Sequence, residues 1–348
     1  MTHAFGLLTF GLAAVALAAS AAGVWFSIRL ANRLGVLDFP NDRSSHVTPT
    51  PRMGGVPIVA AALIAFGFWI YWAAGDWSIH EWLSCSVLFA VAMAILGFCD
   101  DLYSLSAIFR FLVQFVFASI LLWTASGLLP GFAIKGWTIP GVVWVIVGVI
   151  WIVWMVNLYN FMDGIDGLAG GEAAVASCFF FLVFAYYGEA GWAVTNLFIA
   201  AASMGFLVHN WPPARVFMGD SGSAFLGAFY GVQSVVAALS TPVPFLVLVL
   251  PFANFILDTT FTLFQRLIRH EKWYQAHRSH FYQRMTNLGM SHAKVTVVEL
   301  VSVVFSCAAA IGYIRSGVTV RVVVLFVVVV VFVAGGVWVS RREGVMAS

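Results

Sequence analysis

Apolar residues run along this chain in long unbroken blocks, not in the alternating or one-faced patterns of a water-soluble core. A membrane crossing needs about 20 such residues. Reading the runs between polar breaks predicts eleven spans, centred near Leu17, Ala65, Val91, Ala118, Val149, Phe181, Ala201, Gly231, Leu250, Phe305 and Val330. Spans seven and eight are the hardest to separate, because Pro212 and Pro213 interrupt the run between them. The first run, Thr2 to Leu30, superficially resembles a signal peptide. No Lys or Arg precedes Arg29, so a retained helix is expected. The fold class expected is an all-α integral membrane bundle of about eleven helices, with 1–348 as a single polytopic domain.

Composition sharpens this reading. The 348 residues are 62% hydrophobic and 9% charged, against about 25% charged in soluble domains. A net charge of +2 gives no reason to expect a nucleic-acid partner. Cys85, Cys99, Cys178 and Cys307 are scattered, with no CxxC spacing. Charge also orients the chain. Of the 17 Lys and Arg, only Lys135, Arg315 and Arg321 fall on one side of the predicted spans. The positive-inside rule then places the other side in the cytoplasm and the amino terminus outside.

The inner loops hold the candidate chemistry. The first contains Arg43, His46 and Arg52, donors suited to phosphate oxygens. Span three ends in Asp100-Asp101, and adjacent carboxylates at a membrane edge bind a cation or share a proton. Then Asn157, Asn160, Asp163 and Asp166 recur every third residue, so a continuing helix would carry a slowly turning polar stripe. Gly164 and Gly167 permit a break or a close approach there. The Asp-Gly steps do not complete a calcium-binding EF-hand pattern. Asp220 follows Phe217 and Gly219 at the predicted start of span eight, where free backbone N–H groups would favour an anion and Asp220 could hold magnesium. Ser221 could equally be a helix cap. His277, His280 and Arg284 share a spacing that puts them on one helical face. HExxH is absent, and the neighbouring arginines favour phosphate contact over zinc.

Three of these segments, Gly97–Asp101, Asn157–Gly167 and Val216–Ser223, occur together and in order. In that combination the chain resembles the polyprenyl-phosphate N-acetylhexosamine-1-phosphate transferases, relatives of the phospho-MurNAc-pentapeptide translocase. The resemblance extends from Asp38 to Arg284. It implies that a UDP-N-acetylhexosamine gives its sugar phosphate to undecaprenyl phosphate at a cytoplasmic site, releasing UMP. It implies magnesium, or manganese in its place, and membrane lipid as a partner; a homodimer is compatible with it. On the matching positions, Asp220 and Asp100 are the expected metal ligands. Asp100, Asp101, Asn160, Asp163 and Asp166 are the expected catalytic residues. Arg43, His46, Arg52, Asn157, Phe217, His277, His280 and Arg284 are the expected substrate contacts.

Two departures bear on the donor. Ser279 separates Arg278 from His280, so there is no adjacent histidine pair, and Val47 and Thr48 stand where the translocase carries a lysine. Both argue against a pentapeptide substrate, and the His277–Arg284 form of the motif resembles the branch that starts O-antigen chains. The rival classes are a secondary transporter, which would show an internal repeat and midplane acids, a lipid pyrophosphate phosphatase, and a non-catalytic scaffold.

Overall fold

A computed structural model describes residues 6–40, 48–74, 81–125, 132–134, 137–139, 141–271 and 278–347. Eleven helical segments among them are long and apolar enough to cross a membrane, and each coincides with one predicted span. In chain order they are α1 (Leu7–Leu34), α2 (Gly55–Trp69, continued by a π-helical turn at Ile70–Ala74), α3 (Glu81–Tyr103), α4 (Ala107–Thr124), α5 (Gly141–Met162), α6 (Leu168–Tyr187), α7 (Ala190–Asn210) and α8 (Gly219–Ser240). The ninth span is broken into α9 (Phe245–Val249), a 3₁₀ turn at Leu250–Phe252, and α10 (Ala253–Ile268). A short helix, α11 (Phe281–Asn287), precedes α12 (His292–Arg315) and α13 (Val318–Ala347). Spans seven and eight, the uncertain pair, are both continuous helices.

The break in the ninth span has a local cause. Pro251 lacks an N–H and its ring clashes with the preceding turn, so an α-helix cannot run through it. The two small sheets lie in loops. β1 (Leu37–Asp38) pairs antiparallel with β2 (Thr50–Pro51), matching Leu37 with Pro51 and Asp38 with Thr50. β3 (Phe132–Ile134) and β4 (Trp137–Ile139) form a hairpin between α4 and α5.

The bundle centres on α8, which packs against α2, α3 and α5. It is 83% buried along its span, whereas the final helix is 11% buried. The burial follows from composition: α8 carries Gly222, Gly227 and Gly231 among Phe225, Phe229 and Tyr230, and small residues let neighbouring helices approach closely in lipid. The chemistry-bearing start of α8 therefore sits at the middle of one end of the bundle. The ends of α3 and α5 and the start of α4 surround it.

Candidate active site

Two glycines set the geometry. A Cβ at Gly97 would lie 2.1 Å from the Asp220 carbonyl oxygen, so only glycine lets α3 reach the start of α8. Gly219 opens α8 with φ of 74°, a left-handed conformation that other residues adopt at a cost. With α3 so close, the Asp101 carboxylate accepts from the N–H groups of Asp220 at 3.0 Å and Ser221 at 3.1 Å. These belong to the four donors that every helix start leaves unpaired, where negative charge is favoured. The anion site expected at this helix start is thus filled from within the protein. The Asp101 side chain is only 2% exposed and caps α8. Ser221 is not the cap; its Oγ has no partner among the described residues.

Asp100, one residue earlier, faces a different neighbour. Its Oδ2 accepts from Arg110 Nη1, and the same nitrogen reaches Asp220 Oδ2 at 3.1 Å. Arg110 lies in the first turn of α4, whose start is fixed by Ser106 accepting from the Phe109 N–H. Asn160, in the last turn of α5, donates to Asp220 Oδ1 at 2.8 Å and Ser223 Oγ at 3.1 Å, which holds the Asp220 carboxylate in one orientation. Arg52 completes the cluster, 3.4 Å from Asp101 and 3.7 Å from Asp220. Burial works against the Arg52 charge, but Asp101, Asp220 and Asp38 raise its pKa above the ordinary arginine value.

The polar stripe does not continue as helix. α5 ends at Met162, so Asn157 and Asn160 are helical while Asp163 and Asp166 lie in the loop to α6. The break has a packing reason: the Tyr282 hydroxyl donates to the Phe161 carbonyl and sits where a side chain at Gly164 would project. Asp163 keeps some surface exposure. Even so, burial, with Asp220 nearby, pushes its carboxyl well above the usual carboxylate range. Asp166 behaves oppositely. Burial opposes its charge, yet His292 at 3.2 Å and the Ala214 N–H at 3.0 Å hold its pKa below the ordinary value. Both Asp166 oxygens therefore engage protein groups, and Thr296 Oγ1 donates to its carbonyl. This arrangement makes Asp166 a clamp between the loop, residues 211–218 and α12.

The remaining candidates separate. Phe217 is half-buried, and its backbone is stitched to the first loop through Pro51 and Gly54. Asn157 donates to Gln114 at 2.7 Å. His280 is not on the face of a helix with Arg284. It precedes α11, is buried, and lies 3.2 Å from Asp258, whose carboxylate also accepts from the Phe281 and Tyr282 N–H groups. Arg284 turns away from the cluster: it donates to Glu343 at 2.9 and 2.6 Å and to Ser340, on α13. Its expected phosphate contact is replaced by this forked ion pair. Arg43, His46 and His277 lie outside the described residues.

The sequence reading missed Gln114, Ser223, Asp258 and His292 and took Arg110 only as orienting charge. Arg110 carried a signal, since it is the single charge within the apolar run of α4.

Asp100, Arg110, Gln114, Asn157, Asn160 and Asp220 line a small cleft. From it an apolar groove of about 520 Å³ runs between α4 and α5, walled by Phe111, Phe115, Trp154 and Phe161 and sharing Arg110 and Asn157 with the cleft. No set of three or more His, Cys, Asp or Glu converges as metal ligands among the described residues. Asp100 Oδ2 and Asp220 Oδ2 do converge on one point of positive charge, the Arg110 nitrogen. Two carboxylates aimed at a shared position suit magnesium, which takes one or two protein carboxylates plus substrate phosphates and water, and do not suit a closed zinc site.

Such a cleft, polar and acid–arginine at one end and apolar behind, in a protein of the multi-pass membrane class, suits a molecule with a charged headgroup and an apolar tail. Comparison with known proteins makes the class specific. Residues 83–238 match the model of glycosyl transferase family 4. The chain is 30% identical over 310 residues to a decaprenyl-phosphate N-acetylglucosaminephosphotransferase of Mycobacterium tuberculosis, covering 77% of this chain and 73% of that one. It is 28% identical over 301 residues to a probable undecaprenyl-phosphate N-acetylglucosaminyl 1-phosphate transferase of Bacillus subtilis, covering 81% and 79%. A phospho-N-acetylmuramoyl-pentapeptide-transferase of Geobacillus kaustophilus is 31% identical over 229 residues, covering 62% and 68%. The chain belongs to glycosyl transferase family 4.

Proposed function

We propose that this protein transfers an N-acetylhexosamine 1-phosphate from a UDP-sugar to undecaprenyl phosphate, at the cytoplasmic face of a bacterial inner membrane, and so starts a lipid-linked glycan such as an O-antigen. The observation that carries the reading is the continuity of the apolar groove with the Asp100–Arg110–Asp220 cleft. A polyprenyl tail fits the groove between α4 and α5, which brings its phosphate to Arg110. The relatives named for transfer of N-acetylglucosamine phosphate to polyprenyl phosphates support the same class of acceptor and of transferred group.

Phosphoryl transfer asks the protein mainly for positioning and charge stabilisation. An oxygen of the lipid phosphate attacks the sugar-bearing phosphorus of the donor. The bond from that phosphorus to the bridging oxygen breaks, and UMP leaves with the bridging oxygen. Arg110 holds the acceptor phosphate, and Asp100 beside it orients the phosphate and receives its remaining proton. Asn160 and Ser223 fix the Asp220 carboxylate. Asp101 acts through α8, holding the helix start where Asp220 needs it. Asp220 and Asp100 would hold magnesium, which neutralises charge on the donor pyrophosphate when bound. Arg52 offers its charge to the same phosphates.

The test is transfer of label from UDP-N-acetylglucosamine or UDP-N-acetylgalactosamine to undecaprenyl phosphate by the purified protein. Magnesium-dependent formation of an organic-extractable product, with release of UMP, is expected. Release of UDP in place of UMP, or label in free sugar phosphate only, overturns the reading. No transfer from UDP-MurNAc-pentapeptide is expected, given Ser279 and the Val47-Thr48 stretch.

A further inference from the structure

A second group of acids lies inside the bundle, on elements that do not bear the reaction. Glu172, in the second turn of α6, is fully buried at 0% exposure, and neither of its carboxylate oxygens has a hydrogen-bond partner among the described residues. Glu299 lies on α12, and Asn254, at the start of α10, donates through Nδ2 to Glu299 Oε2 at 3.0 Å. The Asn254 side chain also lies within reach of Glu172, and its buried Oδ1 has no hydrogen-bond partner among the described residues. α12 packs on both α6 and the 3₁₀ break that precedes Asn254. Neither glutamate is ion-paired among the described residues.

Among the described residues, no donor closes a hydrogen bond to either Glu172 oxygen. Tyr159 on α5 and Tyr230 on α8 are near enough to sense the Glu172 charge, as is Cys307 on α12. The Tyr159 hydroxyl donates to the Ala169 carbonyl, and that of Tyr230 is engaged with Ser177 and the Ala173 carbonyl. α7 packs along α6 but carries no titratable group except His209, bonded to the Ala21 carbonyl. The environment is thus an excess of acceptors: two Glu172 oxygens and the Asn254 oxygen. Buried acceptors without a donor are expensive, and an unpaired carboxylate in a membrane interior more so.

We propose that Glu172, Asn254 and Glu299 form a buried proton-binding site, with the proton resident on Glu172. One proton there resolves the imbalance. The Glu172 hydroxyl donates to Asn254 Oδ1, Asn254 Nδ2 donates to Glu299 Oε2, and Glu299 keeps the single negative charge. The site ties three helices together behind the reaction centre. Glu299 shares a face of α12 with His292 and Thr296, spaced i, i+4 and i+7, and those two hold Asp166. α6 begins directly after the Asp163–Gly167 loop. Loss of the proton would set two negative charges across Asn254 and press α6 and α12 apart where they grip that loop.

Infrared difference spectroscopy of the full-length protein in lipid nanodiscs tests this without any substrate. Wild type near neutral pH should show the carbonyl band of a protonated carboxylic acid. ¹³C-carboxyl glutamate should shift that band, which needs no variant and so stands even if a substitution prevents folding. Glu172→Gln should lose this glutamate-derived band and Glu299→Gln should keep it. Absence of a glutamate-derived band in wild type overturns the proposal. Persistence of the ¹³C-glutamate-sensitive band in Glu172→Gln overturns it too. Bleaching of the band by sodium chloride but not choline chloride at constant pH would show a metal-cation site and also overturn it. The transferase assay is independent of these spectra, so failure of one does not imply failure of the other.

Discussion

At the residue scale, neighbouring side chains of the same type do different work. Asp100 and Asp101 are adjacent, yet one faces Arg110 and the other caps α8. Asp101→Ala should therefore lower thermal stability, by about 1–2 kcal/mol as for a lost helix cap, as well as activity. Asp100→Asn should remove activity with little change in melting temperature. Equal destabilisation by both would contradict the division. Arg110 bridges two carboxylates through Nη1 alone, and its remaining N–H donors form a rigid planar fork suited to phosphate, which a lysine cannot reproduce. Arg110→Lys should cost at least tenfold in kcat, or about 1.4 kcal/mol, while the protein still inserts. Asp166 gives a pH signature. Its folded-state pKa is depressed, so its contribution to stability is present above its ordinary value of 3.8 and is lost as pH falls through the lower folded value. In thermal melts across that acid range, Asp166→Asn should lose this part of the pH dependence; an unchanged profile would remove the clamp from the account.

At the element scale, the spans were readable because a helix in lipid must be apolar over its whole length, and that requirement is local. The loops were readable as polar clusters for the same reason. What could not be read was which carboxylate meets which partner. Asp101 reaches α8 only because Gly97 allows α3 to touch it, a contact between residues more than a hundred positions apart. Asp258, Gln114 and Glu299 were passed over because each lies within a membrane span and meets its partner on another helix, and Glu172 because it is the one charge in the apolar run of α6. The stripe Asn157 to Asp166 kept its period in the sequence, but the Tyr282 hydroxyl against Gly164 stops the helix first. Gly97→Ala tests this level directly. The added methyl meets backbone, which cannot rotate aside, so overpacking of about 1–3 kcal/mol is expected, together with loss of transfer. Wild-type activity in a folded Gly97→Ala protein would show that the α3–α8 approach is not required.

At the scale of the whole molecule, one end of the bundle gathers Arg52, Asp100, Asp101, Arg110, Asn160 and Asp220, and the apolar groove meets it from the side. The reaction proposed there exchanges one pyrophosphate linkage for another. Its equilibrium constant should therefore lie within about one or two powers of ten of unity, or roughly 1.4–2.8 kcal/mol. The same residues must then stabilise a single transition state from both sides. The most direct measurement is the back-reaction: purified protein is given lipid-linked sugar pyrophosphate and labelled UMP with magnesium, and labelled UDP-sugar is followed. The account predicts that UDP-sugar forms, and that Asp100→Asn and Asp220→Asn slow both directions together. An enzyme active in the forward assay that never returns label to UDP-sugar would contradict it.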